Sequence, residues 1–279
     1  MTYRFAAILL LLRPQNLLIA AASVVVAALL AGAHEEHVVH VAFAALSCAL
    51  IAGGGYALND LCDVDSDRIN HPLRPLALGL LPRGQALVIW ITSTLVGVVF
   101  ASAAGDRFFF IAFIWAIALF VYSVQWKRTA LLGNILVSFV TALAVYFGAA
   151  VTVNFEAAKT PALFAFLANL AREMIKDVED AAGDKAAGAR TLPIRFGERT
   201  ALLAAIIPLA ALIAATIQPF LAKQYGGVYL AIVLVADSIL AYGIVVIVRR
   251  PTPRQLTTLS NLIKLSMAIG ILALFSAGW

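Results

Sequence analysis

The chain has 279 residues, of which 63% are hydrophobic and 13% charged, with a formal net charge of +5 and a mean hydropathy of +0.96. That composition excludes a soluble domain built around one large core, and two cysteines, Cys48 and Cys62, supply no disulfide framework. In chain order, apolar runs of the about 17–25 residues that cross a bilayer predict nine spans. They lie at approximately 14–32, 38–58, 86–104, 108–125, 130–151, 160–176, 200–219, 227–248 and 260–278. The runs lack the alternation of a lipid-facing barrel strand, so helices are expected. The first run is followed at once by others and reads as a retained span, not a cleaved signal.

Short polar features punctuate these runs. His34, Glu35, Glu36, His37 and His40 read as a short polar loop after the first span. Gly53, Gly54 and Gly55 are expected to loosen or break the second helix near its end, where a ligand could approach closely. Pro82, Pro208 and Pro219 mark helix starts, kinks or turns. Phe108, Phe109, Phe110, Phe113, Trp115 and Phe120 crowd the fourth span, as tunnel lining or as lipid and core contacts.

Basic residues fall on one side of this arrangement. Arg4, Arg13, Arg68, Arg74, Arg83, Lys127, Arg128, Arg172, Lys176, Lys185, Arg190, Arg195, Arg199, Arg249, Arg250, Arg254 and Lys264 occupy alternate loops. Only Arg107, Lys159 and Lys223 fall opposite. By the positive-inside rule the protein is a multi-pass cell-membrane protein with a cytoplasmic amino terminus and an outside carboxyl terminus. The net charge therefore reflects topology and gives no reason to expect nucleic acid as a partner.

Two acid-rich segments interrupt the oily chain. One is Asn59-Asp60-Leu61-Cys62-Asp63-Val64-Asp65-Ser66-Asp67; the other runs from Glu173 through Asp177, Glu179 and Asp180 to Asp184. If the second helix persists past Leu58, residues 59, 63 and 67 drift by only about 40° per step and share a face. Residues 173, 177, 180 and 184 form a similar stripe. Both segments fall on the cytoplasmic side, after the second and sixth spans, and four helices separate them. The chain therefore reads as two four-helix halves plus a ninth helix. Carboxylates at a membrane need a cation, and two oxygen-rich stripes suit magnesium against a substrate diphosphate. Either segment alone also reads as a solvated edge. A calcium loop lacks its glycine and late glutamate, and a cation- or proton-coupled transporter would place its acids nearer mid-bilayer.

Asn59-Asp60-x-x-Asp63-x-x-x-Asp67 with Arg74-Pro75 beyond, and Asp180-x-x-x-Asp184, resemble the two signatures of the UbiA superfamily of membrane prenyltransferases. The resemblance covers nearly the whole chain, so residues 1–279 read as one all-α domain, a polytopic bundle of nine transmembrane helices. Arg172 to Asp180, Gly183-Asp184-Lys185 and Gly188 to Pro193, with Arg13-Pro14-Gln15-Asn16 and Gly133-Asn134, are similar to the digeranylgeranylglyceryl phosphate synthase branch. The resemblance implies geranylgeranyl transfer from an isoprenyl diphosphate donor to a glycerol-phosphate lipid acceptor among membrane lipids. An aromatic quinone-precursor acceptor is the alternative.

It further implies magnesium held by Asn59, Asp60, Asp63 and Asp67 and by Asp177, Asp180 and Asp184. Arg68, Lys127, Arg128 and Lys176 are expected to grip the diphosphate, with Tyr122 along the path of the allylic cation. Relatives place a lysine four residues after this tyrosine. Here Lys127 follows by five, which leaves Lys127 and Arg128 as alternatives. Asp67 or Asp184 is the expected proton acceptor. Arg13, Asn16, Arg74, Lys185 and Arg190 are the expected acceptor-binding residues, with Lys185 and Arg190 favoured because they adjoin the second signature.

Overall fold

The fold was taken from a computed structural model, which describes residues 2–277. Helices α1 (Thr2–Leu12) and α2 (Pro14–Leu30) meet at a 42° bend. Pro14 lacks the N–H that would continue α1. Arg13 at the bend takes φ 54, the left-handed region that side chains rarely occupy. A 3-10 turn over Glu35–His37 leads into α3 (Val38–Cys62), and then come α4 (Val64–Asn70), α5 (Arg83–Ala104) and α6 (Asp106–Val124). The second half of the chain forms α7 (Leu132–Ala149), α8 (Glu156–Glu179), α9 (Ala181–Ala186), α10 (Leu192–Phe196), α11 (Glu198–Leu221), α12 (Gly227–Val248) and α13 (Pro253–Ala277).

Each expected span falls on a long helix, but the count of nine is not reached. Among the described residues, seven helices are long and apolar enough to cross a membrane, and the bent α1–α2 pair makes up to eight. The exception is α8, whose last two turns carry Arg172, Glu173, Lys176, Asp177 and Glu179. Residue 278 of the last expected span lies outside the described residues. The apolar side chains left exposed on α5 and α6, such as Leu95, Val99, Phe110 and Phe113, suit a multi-pass membrane protein, in which lipid covers that face.

The core divides unlike two equal four-helix halves. Val24, Ala44, Ile51, Ala101, Phe108 and Phe147 join five helices, α2, α3, α5, α6 and α7, with Phe108 and Phe147 edge to face at 5.4 Å. Ile175, Leu209, Leu240 and Ile263 join α8, α11, α12 and α13. The glycine run does not break α3, which continues to Cys62. A Cβ on Gly54 would meet Thr94 Oγ1 at 2.6 Å and the Trp90 carbonyl at 3.1 Å. Gly54 therefore lets the backbones of α3 and α5 approach, as small residues do where burial gives no driving force between helices. Pro82 precedes α5, while Pro208 and Pro219 lie inside α11.

Candidate active site

The acid segments do not form the continuous stripes their spacing suggests. α3 ends at Cys62 and α4 begins at Val64, with Asp63 between them at φ −99, ψ 4. α8 ends at Glu179 and α9 begins at Ala181, with Asp180 between them at φ −90, ψ 0. Both junction residues sit in the sparsely allowed bridge region, so the middle acid of each motif marks the same kind of break.

Residues that sequence reasoning missed join the two junctions. Asn70 Nδ2 donates to the Asp180 carbonyl at 2.7 Å, and Asn70 Oδ1 accepts from the Gly183 N–H at 2.8 Å. His71 Nε2 lies 2.8 Å from Asp180 Oδ1. Gly183 is required there, because a Cβ would stand 2.5 Å from the Ser66 carbonyl. The available signal was an amide and an imidazole directly after the first motif, ahead of Pro72.

Among the described residues, every inward carboxylate of the two motifs except Asp184 has a side-chain partner. Arg13 pairs with Asp60, and Lys127 contacts both Asp63 and, at 3.1 Å, Asn59 Oδ1. Arg74 Nη1 lies 2.8 Å from each Asp67 oxygen and 3.4 Å from Asp60. Asn134 Nδ2 donates to Asp177 at 3.0 Å, and Lys176 Nζ is 3.5 Å from Asp180. Asp60, Asp63 and Asp67 are all buried, where an unpaired carboxylate would be strongly unfavourable.

Burial and mutual repulsion act on these groups. Burial raises the Asp67 carboxyl, against the opposing Arg74. Burial also pushes Asp184 up to about 6, against Lys127 and with Asp180 and Asp63 adding to the rise. For Asp180 burial acts upward too, but Lys176 and His71 outweigh it and hold the carboxyl below the usual range. Lys127 is raised because Asp63 overcomes the opposing effect of burial.

A cavity of about 280 Å³ opens from this cluster into the bundle. Of the expected site residues, Arg13, Asn16, Asn59, Tyr122, Lys127, Lys176, Asp177, Asp180 and Asp184 line it. Asp60 and Asp63 connect to it through Arg13 and Lys127, and Asp67 connects through Arg74 to Asp60. The remaining five expected basic residues do not line it, Arg74 being turned to Asp67 and Asp60. Arg68 is exposed and pairs with Asp65 at 3.2 Å. Arg128 is exposed, 3.4 Å from the carbonyl of Cys62. Lys185 and Arg190 are exposed as well, and Arg190 contributes its N–H to the Arg128 carbonyl at 2.8 Å. Helix α9 is one short turn and a half, so side chains adjoining Asp184 in sequence are turned to the surface.

The wall holds further residues. Trp115 and Leu119 of α6 line the apolar part, whereas Phe110, Phe113 and Phe120 face outward. Deeper, Asp237 accepts from Thr216 Oγ1 at 3.0 and 3.1 Å, and Tyr229 donates to the Thr216 carbonyl at 2.7 Å. The donors at the mouth are oxygen atoms, which suit a hard divalent cation. Magnesium uses one or two carboxylates with substrate phosphates and needs no closed protein cage. Accordingly, no three His, Cys, Asp or Glu side chains form a ready cage among the described residues.

A membrane helical bundle around a cavity, apolar within and ringed by oxygen donors and cations at its mouth, defines an enzyme for substrates with an anionic head and a long apolar tail. The family model described as the UbiA prenyltransferase family matches residues 20–275, and the chain belongs to that family. It is 34% identical to the digeranylgeranylglyceryl phosphate synthase of Hyperthermus butylicus, covering 85% of this chain and 83% of that one. The enzyme of the same name from Methanopyrus kandleri is 35% identical, covering 89% and 90%. A solved structure of digeranylgeranylglyceryl phosphate synthase is similar at a TM-score of 0.75 and 25% identity, covering 99% of this chain and 98% of that one. A UbiA homolog from Archaeoglobus fulgidus bound to GPP and Mg2+ shares the fold at a TM-score of 0.67 and 21% identity, covering 96% and 99%.

Proposed function

We propose that the protein transfers the geranylgeranyl group of geranylgeranyl diphosphate to the free hydroxyl of geranylgeranylglyceryl phosphate. The carrying observation is the single cavity that joins the oxygen-and-cation mouth to the apolar interior, in a chain whose curated relatives bear that enzyme's name. The allylic C1–O bond breaks with its electron pair leaving on diphosphate. The acceptor oxygen bonds C1, and its proton passes to a carboxylate.

Asn59, Asp60, Asp63 and Asp67 on one side, and Asp177, Asp180 and Asp184 on the other, are the residues that would hold magnesium. When bound, that ion neutralises charge on the leaving diphosphate. Lys127 exchanges its contact with Asp63 for diphosphate oxygens, and Lys176 assists from α8. Tyr122 and Trp115 keep water from the allylic cation and present aromatic faces to it. Of the two candidate proton acceptors, Asp184 lines the cavity, whereas Arg74 holds both oxygens of Asp67. The basic loops support a cytoplasmic site and amino terminus, and with α8 crossing as a ninth span the carboxyl terminus falls outside.

The test is purified protein with geranylgeranyl diphosphate, magnesium and a panel of acceptors. Diphosphate release and a dialkyl ether product are expected with the glycerol-phosphate acceptor. Turnover with a hydroxylated aromatic acceptor alone would reject the assignment.

A further inference from the structure

Two cations of the cavity wall stand outside the ion pairs at the mouth. Lys264 lies eleven residues beyond Pro253 in α13, about 16 Å along the helix at its usual rise. Its charge therefore belongs to the bundle interior and not to a cytoplasmic loop. It is half-buried and lines the cavity. The charges acting on it are Arg172, Arg13 and Lys176, opposed by Glu173. Glu173 is already held by Arg172 Nη1 at 2.8 Å, and no carboxylate of the described residues forms an ion pair with Lys264. Arg172 adds a buried Nε that has no hydrogen-bond partner.

A lysine with no ion-pair partner among the described residues is unfavourable inside a membrane bundle, and together with the unpartnered Nε of the Glu173-paired Arg172 it points to an anionic ligand. We propose that Lys264 and Arg172, with Arg13 at their edge, form a second anion site that takes the phosphate monoester of the acceptor lipid. The inference rests on the glycerol-phosphate reading above and adds where that phosphate sits. Two phosphorylated substrates need two sets of donors. Lys127 at the carboxylate mouth serves the donor's diphosphate, and the α8–α13 wall serves the acceptor. The fork of Arg172 and the three ammonium protons of Lys264 match the oxygens of a monoester. Lys185 and Arg190, exposed and off the cavity, are not part of it.

The test uses the full-length protein in detergent, with a saturated alkylglycerol phosphate and its phosphate-free alkylglycerol as binding probes. Wild type binds the phosphate form more tightly. Lys264→Met loses about tenfold to a hundredfold of that preference, as for a charge-assisted contact, while Lys264→Arg keeps most of it and the KM for geranylgeranyl diphosphate stays near its starting value. Lys264 makes no side-chain hydrogen bond or ion pair among the described residues, so its replacement orphans no partner there. An undiminished preference in Lys264→Met overturns the proposal and leaves the acceptor assignment standing. A raised donor KM with unchanged acceptor binding overturns it in favour of a diphosphate contact. A wild type without phosphate preference overturns both the site and the acceptor assignment.

Discussion

Asn70→Ala removes the side chain that ties the two junctions together while leaving every proposed ligand and substrate contact in place. Two hydrogen bonds are lost, one to the Asp180 carbonyl and one from the Gly183 N–H. At about 1 kcal/mol each, the segment over 180–186 loses about 2 kcal/mol of local stability, a roughly thirty-fold rise in its open population. The bundle is held by the apolar clusters of α2–α8 and α8–α13, so the midpoint of thermal unfolding should move little. Hydrogen exchange reads the effect directly, because the Gly183 amide is itself the donor. Peptides spanning Gly183 should exchange about thirty-fold faster, with those of α11 and α12, which do not pack on α9, unchanged. Turnover should fall at least tenfold, because Asp180 and Asp184 must be held to a fraction of an ångström for the chemistry. Unchanged exchange at Gly183 together with full activity would refute the role given to Asn70.

Other changes probe different parts of the site and fold. Asp180→Asn removes the carboxylate that meets both Lys176 and His71, and turnover at saturating magnesium should be nearly abolished; near wild-type rates in purified protein would rule out the paired-carboxylate site. Gly54→Leu forces side-chain volume against the Trp90 carbonyl and Thr94. It should destabilise the protein by about 1–3 kcal/mol, read as a lower unfolding temperature in detergent, and an unchanged temperature would mean that α3 and α5 are not closely packed. Asp237→Leu should leave that temperature unchanged or raised, because Thr216 Oγ1 still has the Ile213 carbonyl at 2.9 Å to donate to and a buried carboxylate is replaced by apolar volume; marked destabilisation would show that Asp237 holds the fold. Arg190→Ala should leave acceptor affinity unchanged, since that side chain is exposed and off the cavity.

The helices were legible because an apolar run of sufficient length has few alternatives in a bilayer, and α2, α3, α5, α6, α7, α11 and α12 lie where the runs lie. The breaks at Asp63 and Asp180 were not, because they are fixed by contacts between segments over a hundred residues apart: Asn70 with Asp180 and Gly183, and Gly183 against Ser66. Spacing alone favoured an unbroken helix there. The start of α13 was hidden for a related reason. Arg254, Gln255, Thr257, Thr258 and Ser260 make its first turns polar, so the apolar run is read from residue 260, whereas α13 begins at Pro253. Reading by proximity had the opposite fault. Lys185 and Arg190 adjoin the second motif in sequence, yet both are exposed, Lys185 on the six-residue α9 and Arg190 beyond its end. Arg172 and Lys264, far apart in sequence, line the same cavity. A charge within a span persists only where protein or a polar cavity receives it. By that criterion an isolated lysine in the interior of an apolar run is stronger evidence for a ligand than a lysine beside a recognised motif, and it directs attention to α13 rather than α9.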